Sequence, residues 1–487
     1  MLGYLKRLAT AGAAYQAADI VSRLFAVATL PLYTRHLSRG DYGTAETLVA
    51  GVVLLSIPLR FGLGEAFVRY YFEHPEQADR DRIARASIGA VAAVSTVVAL
   101  ALLAVAGPFS QLVLGHTDAT IMGFSILGLW AFSNLEMGKA LLRVDERKLA
   151  FLAVTVGNVV LTVALTVVLV VVKHDGARGL VAGNFVASAV AVLALWVALR
   201  GRLLGPASGA RVGELLRFGL PTIPADASVF ALNVLDRAYL LRGSSASAAG
   251  LYALSVKLSS VVIVAVRGFQ YAFPPLAYSI ESDEEAGQLY SLVTTYYVLA
   301  TGWVVAGVTL LGRWVVRALA APSFYGAHRA LPWVALGWAL YGLFLIFVVI
   351  AGRAKVTTRN FPAAAAGLAV NAVLLVVLVG PLGIAGAGIA LCASYLVMLV
   401  VMYALTRHLF TVAFEWARLG LAVVIVGGLT LAGELLLPTD GVSGFASRAA
   451  VFGAIPLAMA VSGFLSQPER RRLRELRARA RPRPDGR

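Results

Sequence analysis

Charge is scarce in this sequence. Of its 487 residues only 14% are Asp, Glu, Lys or Arg, against about a quarter in a soluble domain. Hydrophobic residues make up 59% and mean hydropathy is +0.80, which excludes a water-soluble fold. Cysteine is nearly absent. The one copy, Cys392, sits in an apolar run, so neither a disulfide framework nor a cysteine-ligated metal site is available. The six histidines are scattered through linkers without ligand spacing, and no Ser-His-Asp set stands out. A phosphate-binding Gly-Lys motif is missing, so no nucleotide engine is legible. Long loops are missing too. A membrane-embedded glycosyltransferase or polymerase usually carries a large acid-bearing loop, and this chain has only short connections before its tail.

What the sequence has is apolar runs. Fourteen stretches reach the roughly 20 residues needed to span a bilayer: 9–34, 43–68, 85–114, 119–142, 149–172, 178–200, 212–241, 247–275, 289–316, 329–352, 361–379, 383–406, 416–437 and 446–466. The expected fold is an all-α integral membrane bundle. The N-terminus has a basic start and a long apolar run without a clear small-residue cleavage pattern, which reads as a retained first helix. Acid is the scarcer sign of charge, 26 residues against 42 Lys and Arg, for a net +16. The excess needs no nucleic acid to explain it. Nine of the arginines follow Glu469 and most other cations flank apolar runs. With a cytoplasmic N-terminus, the inner segments would carry 27 Lys and Arg and the outer segments nine. That bias places both termini in the cytoplasm.

The halves echo each other. Gly43 in DYGTAETL aligns with Gly250 in AAGLYALS, and the same offset then pairs Arg60 with Arg267. A looser match pairs ERKLAFLAVTVGN (146–158) with TRNFPAAAAGLAVN (358–371), and GARGLVAGNFVAS (176–188) echoes GIAGAGIALCAS (383–394). The expected organisation is an N-lobe at 1–205 (helices 1–6), a C-lobe at 206–410 (helices 7–12), two added helices at 411–467 and a basic cytoplasmic tail at 468–487. An even number of spans per lobe gives parallel repeats, a design suited to alternating access.

Charges remain inside these spans, where they are costly and persist mainly toward a cavity or a partner. Gln16, Asp19 and Arg23 share one face of the first helix. Arg60 and Arg267 lie in the inner halves of equivalent helices, either to meet an anion with their planar forks or to snorkel to the headgroups. Lys257, Ser260, Val264, Arg267 and Tyr271 share a face of the eighth helix. Asp226, Asn233 and Arg237 share a face of the seventh. These could line a cavity. Alternatively, Asp226 with Lys257, or Asp236 and Arg237 with other partners, could be buried pairs. Glu136 and Lys139 are three residues apart and read as a pair. The Gly-rich runs at 383–388 and 426–433 read as close helix packing. Candidate substrate-binding residues are therefore Arg23, Arg60, Arg237, Lys257, Arg267 and Asn233. Asp19 and Asp226 are candidates for coupling or charge pairing, and no metal site is expected.

The segment LPLYTRHLSRGDYGTAETLVAGVVLLSIPLRFGLGEAFVRYYFE (30–73) resembles the opening of the polysaccharide and oligosaccharide-lipid flippases. These include the O-antigen flippases of the superfamily that holds multidrug (MATE) exporters and the lipid II flippase. The motif is Leu37, Ser38, Asp41, Tyr42 and Gly43, followed by Arg60, Gly62, Gly64 and Arg69. The resemblance implies a MATE-like two-lobe fold in the plasma membrane and a polyprenyl-diphosphate-linked saccharide as substrate. Its partners would be membrane lipids and a polymerase and glycosyltransferases of the same pathway, not nucleic acid. No cofactor is implied beyond a coupling ion (H+ or Na+) or the membrane potential. Because multidrug relatives use a helix-1 acid for coupling, Asp19 becomes a candidate protonation site. The runner-up is a cation-coupled drug or small-molecule antiporter. A polymerase or glycosyltransferase, or a non-transporting scaffold, would be a different class.

The orientation has a direct check. Single cysteines introduced at 76–80 and 282–286 should react with an impermeant thiol reagent only from the cytoplasmic side. Cysteines at 39–41 and 174–176 should react only from outside. An exchange between the two groups contradicts the orientation.

Overall fold

The computed structural model describes residues 20–74, 76–205, 209–280, 282–409 and 412–464, and every regular element among them is helical. Residues 9–19 of the first expected span, 9–34, and the whole of the basic tail, 468–487, lie outside the described residues. The helices of the first half are α1 (20–28), α2 (Leu30–His36), α3 (Arg39–Leu59), α4 (Leu63–Glu73), α5 (Gln77–Ala104), α6 (Ala106–Leu114), α7 (Ala119–Val144), α8 (Lys148–Thr166) and α9 (Gly176–Ala198). The short α10 (Arg200–Leu203) and the amphipathic α11 (Gly209–Gly219) lead to α12 (Ile223–Gly243), α13 (Ala246–Leu258) and α14 (Ser260–Tyr278). Then come α15 (Asp283–Leu319), α16 (Leu331–Arg353), α17 (Asn360–Leu382), α18 (Ile384–Thr406), α19 (Trp416–Leu436) and α20 (Gly441–Val461). Among the described residues ten helices cross a bilayer by length and composition alone, and up to thirteen do if each of three bent pairs is one span.

Two bundles form because small residues let helices approach. In the first, a side chain at Gly128 of α7 would strike the Phe185 ring of α9 at 2.4 Å, and Gly183 backs directly onto Thr166 of α8. In the second, α12, α13, α16, α17 and α18 enclose Ile346, Leu391, Tyr395 and Met398. Gly386 sits so near α17 that a Cβ would lie 2.2 Å from the Leu378 carbonyl oxygen, which bears out close packing for the glycine run at 383–388. α19 and α20 lean on α15 through Trp303 stacked on Phe452 at 4.8 Å. Their hairpin is fixed by Arg448, which is fully buried. Its guanidinium pairs with Glu434 and donates to the Pro438 and Leu437 carbonyls at 3.0 and 3.2 Å. The carbonyls just past the end of α19 are thereby satisfied without water.

Several expected helices are broken, and two of the breaks bear on the candidate residues. The span at 43–68 is interrupted at Arg60–Gly62, where Phe61 has φ 50° and Gly62 has φ 67°. Pro58 weakens the last turn before the break, because it cannot donate to the helix. The span at 247–275 bends by 46° between α13 and α14. There the Ser259 hydroxyl donates back to the Ser255 carbonyl at 2.9 Å, a bond that competes with the helix ladder and bends it. Lys257 and Arg267 therefore lie on separate helices, not on one continuous face. The offset that pairs Gly43 with Gly250 places the Gly62 break opposite Phe269, inside intact α14. The two copies of this unit are thus bent at different places.

The two halves of the chain meet through glycines near both ends of α3. A Cβ on Gly43 would lie 2.1 Å from the Ala246 carbonyl oxygen and 2.4 Å from the Gly250 nitrogen, and one on Gly250 would lie 2.0 Å from the Arg39 carbonyl oxygen. The pair marked by the internal repeat is therefore a backbone-to-backbone contact between the halves. Nearby, the buried Thr34 hydroxyl accepts from the Ala321 amide at 3.0 Å. At the other end, a Cβ on Gly62 would lie 2.0 Å from the Gly219 carbonyl oxygen, and Arg69 lies over the Phe218 ring at 4.5 Å. The interface is closed at both ends.

A disulfide reports this contact. The Cβ built at Gly40 lies 3.6 Å from that of Ala246, within the range for a disulfide. With Cys392 replaced by serine, Gly40→Cys and Ala246→Cys should cross-link under mild oxidation. Adding Gly250→Val should abolish the cross-link. Adding Gly51→Val, a site with open space around it, should leave it intact. Equal cross-linking in all three proteins would mean that the glycine seam does not set the approach.

Candidate functional site: a charge cluster between the halves

α3 begins at a serine cap, with Ser38 Oγ accepting from the Asp41 amide at 3.0 Å. One turn after the cap comes Gly43, the point of closest approach to α13, and one turn further comes Glu46. That depth is about 10 Å into a span, at 1.5 Å per residue. A lone carboxylate there is costly, and Glu46 is not alone. Its Oε1 accepts from Lys257 Nζ of α13 at 2.6 Å, and its Oε2 lies 3.8 Å from Arg237 Nη1 of α12. Arg237 also donates to the Glu46 backbone oxygen at 3.3 Å. The Lys257 ammonium lies 5.5 Å from the centre of the Tyr42 ring, and Tyr42 meets Phe324 edge-on at 5.7 Å. Glu46 and Arg237 are 12% exposed and Lys257 21%. One carboxylate of the first half thus holds two cations of the second.

Sequence reading named Arg237 and Lys257 but missed Glu46, although it lies within the quoted DYGTAETL segment. Lys257 takes Glu46 as a partner. The side chain of Asp226, like the whole of Asp19 and Gln16, lies outside the described residues. Asp236 turns away from Arg237 into the second bundle. It is 1% exposed, and its oxygens accept from Tyr252 Oη at 2.6 Å and Asn371 Nδ2 at 3.1 Å. Asn233, one turn earlier on α12, accepts from Tyr395 Oη at 3.3 Å. Tyr252, Asn371 and Tyr395 carry no charge to mark them. The only sequence signal was Asn371 at the end of the repeated segment.

The other candidates fall elsewhere. Arg23 is half-buried on α1. Arg60 caps α3 and donates from Nε to its own Ser56 carbonyl at 3.1 Å. Its charge acts on Glu136, whose carboxylate pairs with Lys139 at 3.1 Å as its spacing suggested. Arg267 donates to Gln270 at 3.4 Å, and its charge reaches Tyr395. Arg60 and Arg267 are equivalent in the repeat but have different surroundings, because the helix breaks at one and runs on through the other. Among the described residues no group of three or more His, Cys, Asp or Glu forms a metal site.

Two openings flank the charge cluster. One, of about 120 Å³, is almost wholly apolar and begins at Thr47, Leu48 and Gly51 of α3, facing Val234 and Ala238 of α12. The other, of about 270 Å³, lies at the end where α3 and α13 start and is bordered by Arg39, Ser245, Ser247 and Arg329.

The profile of the family described as polysaccharide biosynthesis protein matches residues 10–277, more than half of the sequence. The chain belongs to this family. No curated protein matches the sequence of this family member, but solved structures share its fold. A lipid II flippase, MurJ, in an inward closed conformation superposes with a TM-score of 0.73 at 13% identity, covering 92% of this chain and 97% of the other. A multidrug resistance MATE family transporter of the MOP superfamily, inward-facing, gives 0.66 at 14% identity over 82% and 95%. A MOP superfamily transporter from Pyrococcus furiosus, described as having a binding pocket of reversed polarity, gives 0.58 at 14% identity over 82% and 94%. This family member therefore has the all-helical fold of these membrane transporters and is a multi-pass membrane protein.

The cluster has an energetic signature. Breaking one partner out of a buried ion pair costs roughly 3–5 kcal/mol, because the other charge is left uncompensated. Glu46→Gln leaves two buried cations without their anion and should therefore lower the unfolding temperature in detergent more than the double variant Glu46→Gln with Lys257→Gln. Asp283→Asn provides the control. Asp283 pairs with Arg353 while 77% exposed, and its loss should cost less than about 1 kcal/mol. A double variant less stable than Glu46→Gln alone contradicts the pairing.

Proposed function

We propose that this protein is a flippase. It carries a polyprenyl-diphosphate-linked oligosaccharide, the precursor of a cell-surface polysaccharide, from the inner to the outer leaflet of the plasma membrane, with both termini in the cytoplasm. Membership of the polysaccharide biosynthesis family supports this reading, as does the flippase and exporter fold. The observation that carries it is local: cations from the second half meet a buried carboxylate of the first half where the two halves touch. A diphosphate requires fixed cationic donors, and arginine offers two parallel hydrogen bonds to its oxygens.

In the cycle the halves part at the cytoplasmic end, where Gly62 meets Gly219. Arg60 and Arg267 lie in the inner halves of their spans and take the diphosphate as it enters. The sugar occupies the polar interior and the prenyl chain stays in lipid. The cytoplasmic end then closes, the end held by Gly43 and Gly250 opens, and the headgroup leaves outward. A coupling ion, H+ or Na+, or the membrane potential gives the cycle its direction. The polymerase and glycosyltransferases of the same pathway make and consume the cargo. The likeness to a multidrug transporter supports one second reading, a cation-coupled antiporter of smaller molecules.

Arg60→Ala and Arg267→Ala should each abolish export of the saccharide while the protein reaches the membrane at normal abundance. Arg→Lys should restore it only in part, because a point charge replaces a bidentate fork. Normal export by both alanine variants would make these arginines headgroup anchors. Resistance to cationic drugs that is lost in the same variants, with saccharide export unchanged, would favour the antiporter.

A further inference from the structure

The cluster at Glu46 is uneven. It holds two cations and one carboxylate, and the acceptor capacity is too small for the donors. Lys257 takes one carboxylate oxygen at 2.6 Å, while Arg237 is left at 3.8 Å from the other. The Arg237 Nε–H is buried and has no acceptor. Buried donors are rarely left unpaired. A diphosphate has more oxygens and more negative charge than a carboxylate, and it would satisfy both cations fully.

The place of the cluster matters as much as its charge. Glu46 lies one helical turn from Gly43, and Lys257 lies two turns from Gly250, on the faces where α3 and α13 touch through their backbones. The ion pairs therefore cross the seam that must part for the outer end to open. Parting it with nothing bound would leave one carboxylate and two cations unpaired in a low-dielectric region, a costly state. The arrangement is not a by-product of internal symmetry. The repeat positions of Glu46 and Lys257 are Ala253 and Ala50, and neither carries a charge.

We infer that Glu46 is an internal stand-in for the substrate's diphosphate. It occupies Lys257 and Arg237 at rest and keeps the outer end shut, and it is displaced when the diphosphate reaches those cations. The inference rests on the flippase reading and adds to it a positioning residue that links occupancy to opening. Exchange of one anion for another on the same two cations leaves them paired throughout. Only Glu46 is released, and it then faces water in the widening gap. An empty carrier stays closed outward, so the lobes do not cycle without cargo.

The test measures the outer end directly. Spin labels at Asp175→Cys and Ser323→Cys, with Cys392→Ser, place one reporter on an exposed connection of each half. The full chain is reconstituted in lipid nanodiscs, and the distance distribution is recorded alone, with a polyprenyl diphosphate, and with the uncharged polyprenol. The wild-type protein should show one short distance alone and with polyprenol, and a second, longer population with the diphosphate. Glu46→Gln should show the longer population without any ligand. Glu46→Asp should restore dependence on the diphosphate, which separates a charge role from loss of fold. If Glu46→Gln stays as closed as the wild type while cells still export the saccharide, the inference is overturned and the flippase reading stands. If the diphosphate moves no protein and export is also absent, the flippase reading falls and takes the inference with it.

Discussion

A carboxylate about 10 Å inside an apolar span must be compensated, and the way Glu46 is compensated organises the centre of this molecule. Its partners come from α12 and α13, so the charge that α3 cannot carry alone ties one half of the chain to the other. Similar accounting recurs elsewhere. Arg448 is fully buried because it closes the end of α19, and Asp236 is tolerated because Tyr252 and Asn371 both donate to it. Those groups are satisfied within one bundle. The Glu46 cluster is satisfied between bundles, so its energy depends on the distance between them.

Glycine seams give that distance discrete values. At Gly43–Gly250 and at Gly62–Gly219 the backbones meet with no room for a Cβ. Contacts of this kind are lost almost completely once the helices part by a side-chain width. Two such contacts lie near opposite ends of α3, and the second sits at the Arg60–Gly62 break itself. A carrier needs each end to be either shut or open, and tight backbone seams supply that behaviour better than soft side-chain packing.

Much of the fold was legible in the sequence because a bilayer permits few solutions. Apolar runs of the right length had to be helices, and thirteen of the expected ranges overlap helices or bent pairs able to span. The repeated Gly43 and Gly250, noticed only as an offset, proved to be in contact with each other. The candidate site was less legible. Arg237 and Lys257 were visible as charges, but hydropathy does not say which carboxylate lies opposite, and Glu46 passed unnoticed among the residues of a motif. Arg60 and Arg267 looked alike from their offset and differ in the structure, because Pro58 and Gly62 break one helix while Ser259 bends the other eight residues earlier. Breaks of that sort depend on single hydroxyls and backbone angles, which periodicity averages away.

The central claim is that two helical bundles carry an anionic lipid headgroup through the membrane between them. The most direct measurement uses purified protein in sealed vesicles, with a fluorescent saccharide on a polyprenyl diphosphate placed in one leaflet. A membrane-impermeant quencher then reports how much lipid remains outside. The account predicts that the protected fraction changes with time in vesicles containing the protein, stays fixed in empty vesicles, and stays fixed when the diphosphate is replaced by an uncharged linkage. Equal movement of the charged and uncharged lipids, or none of either, would contradict it.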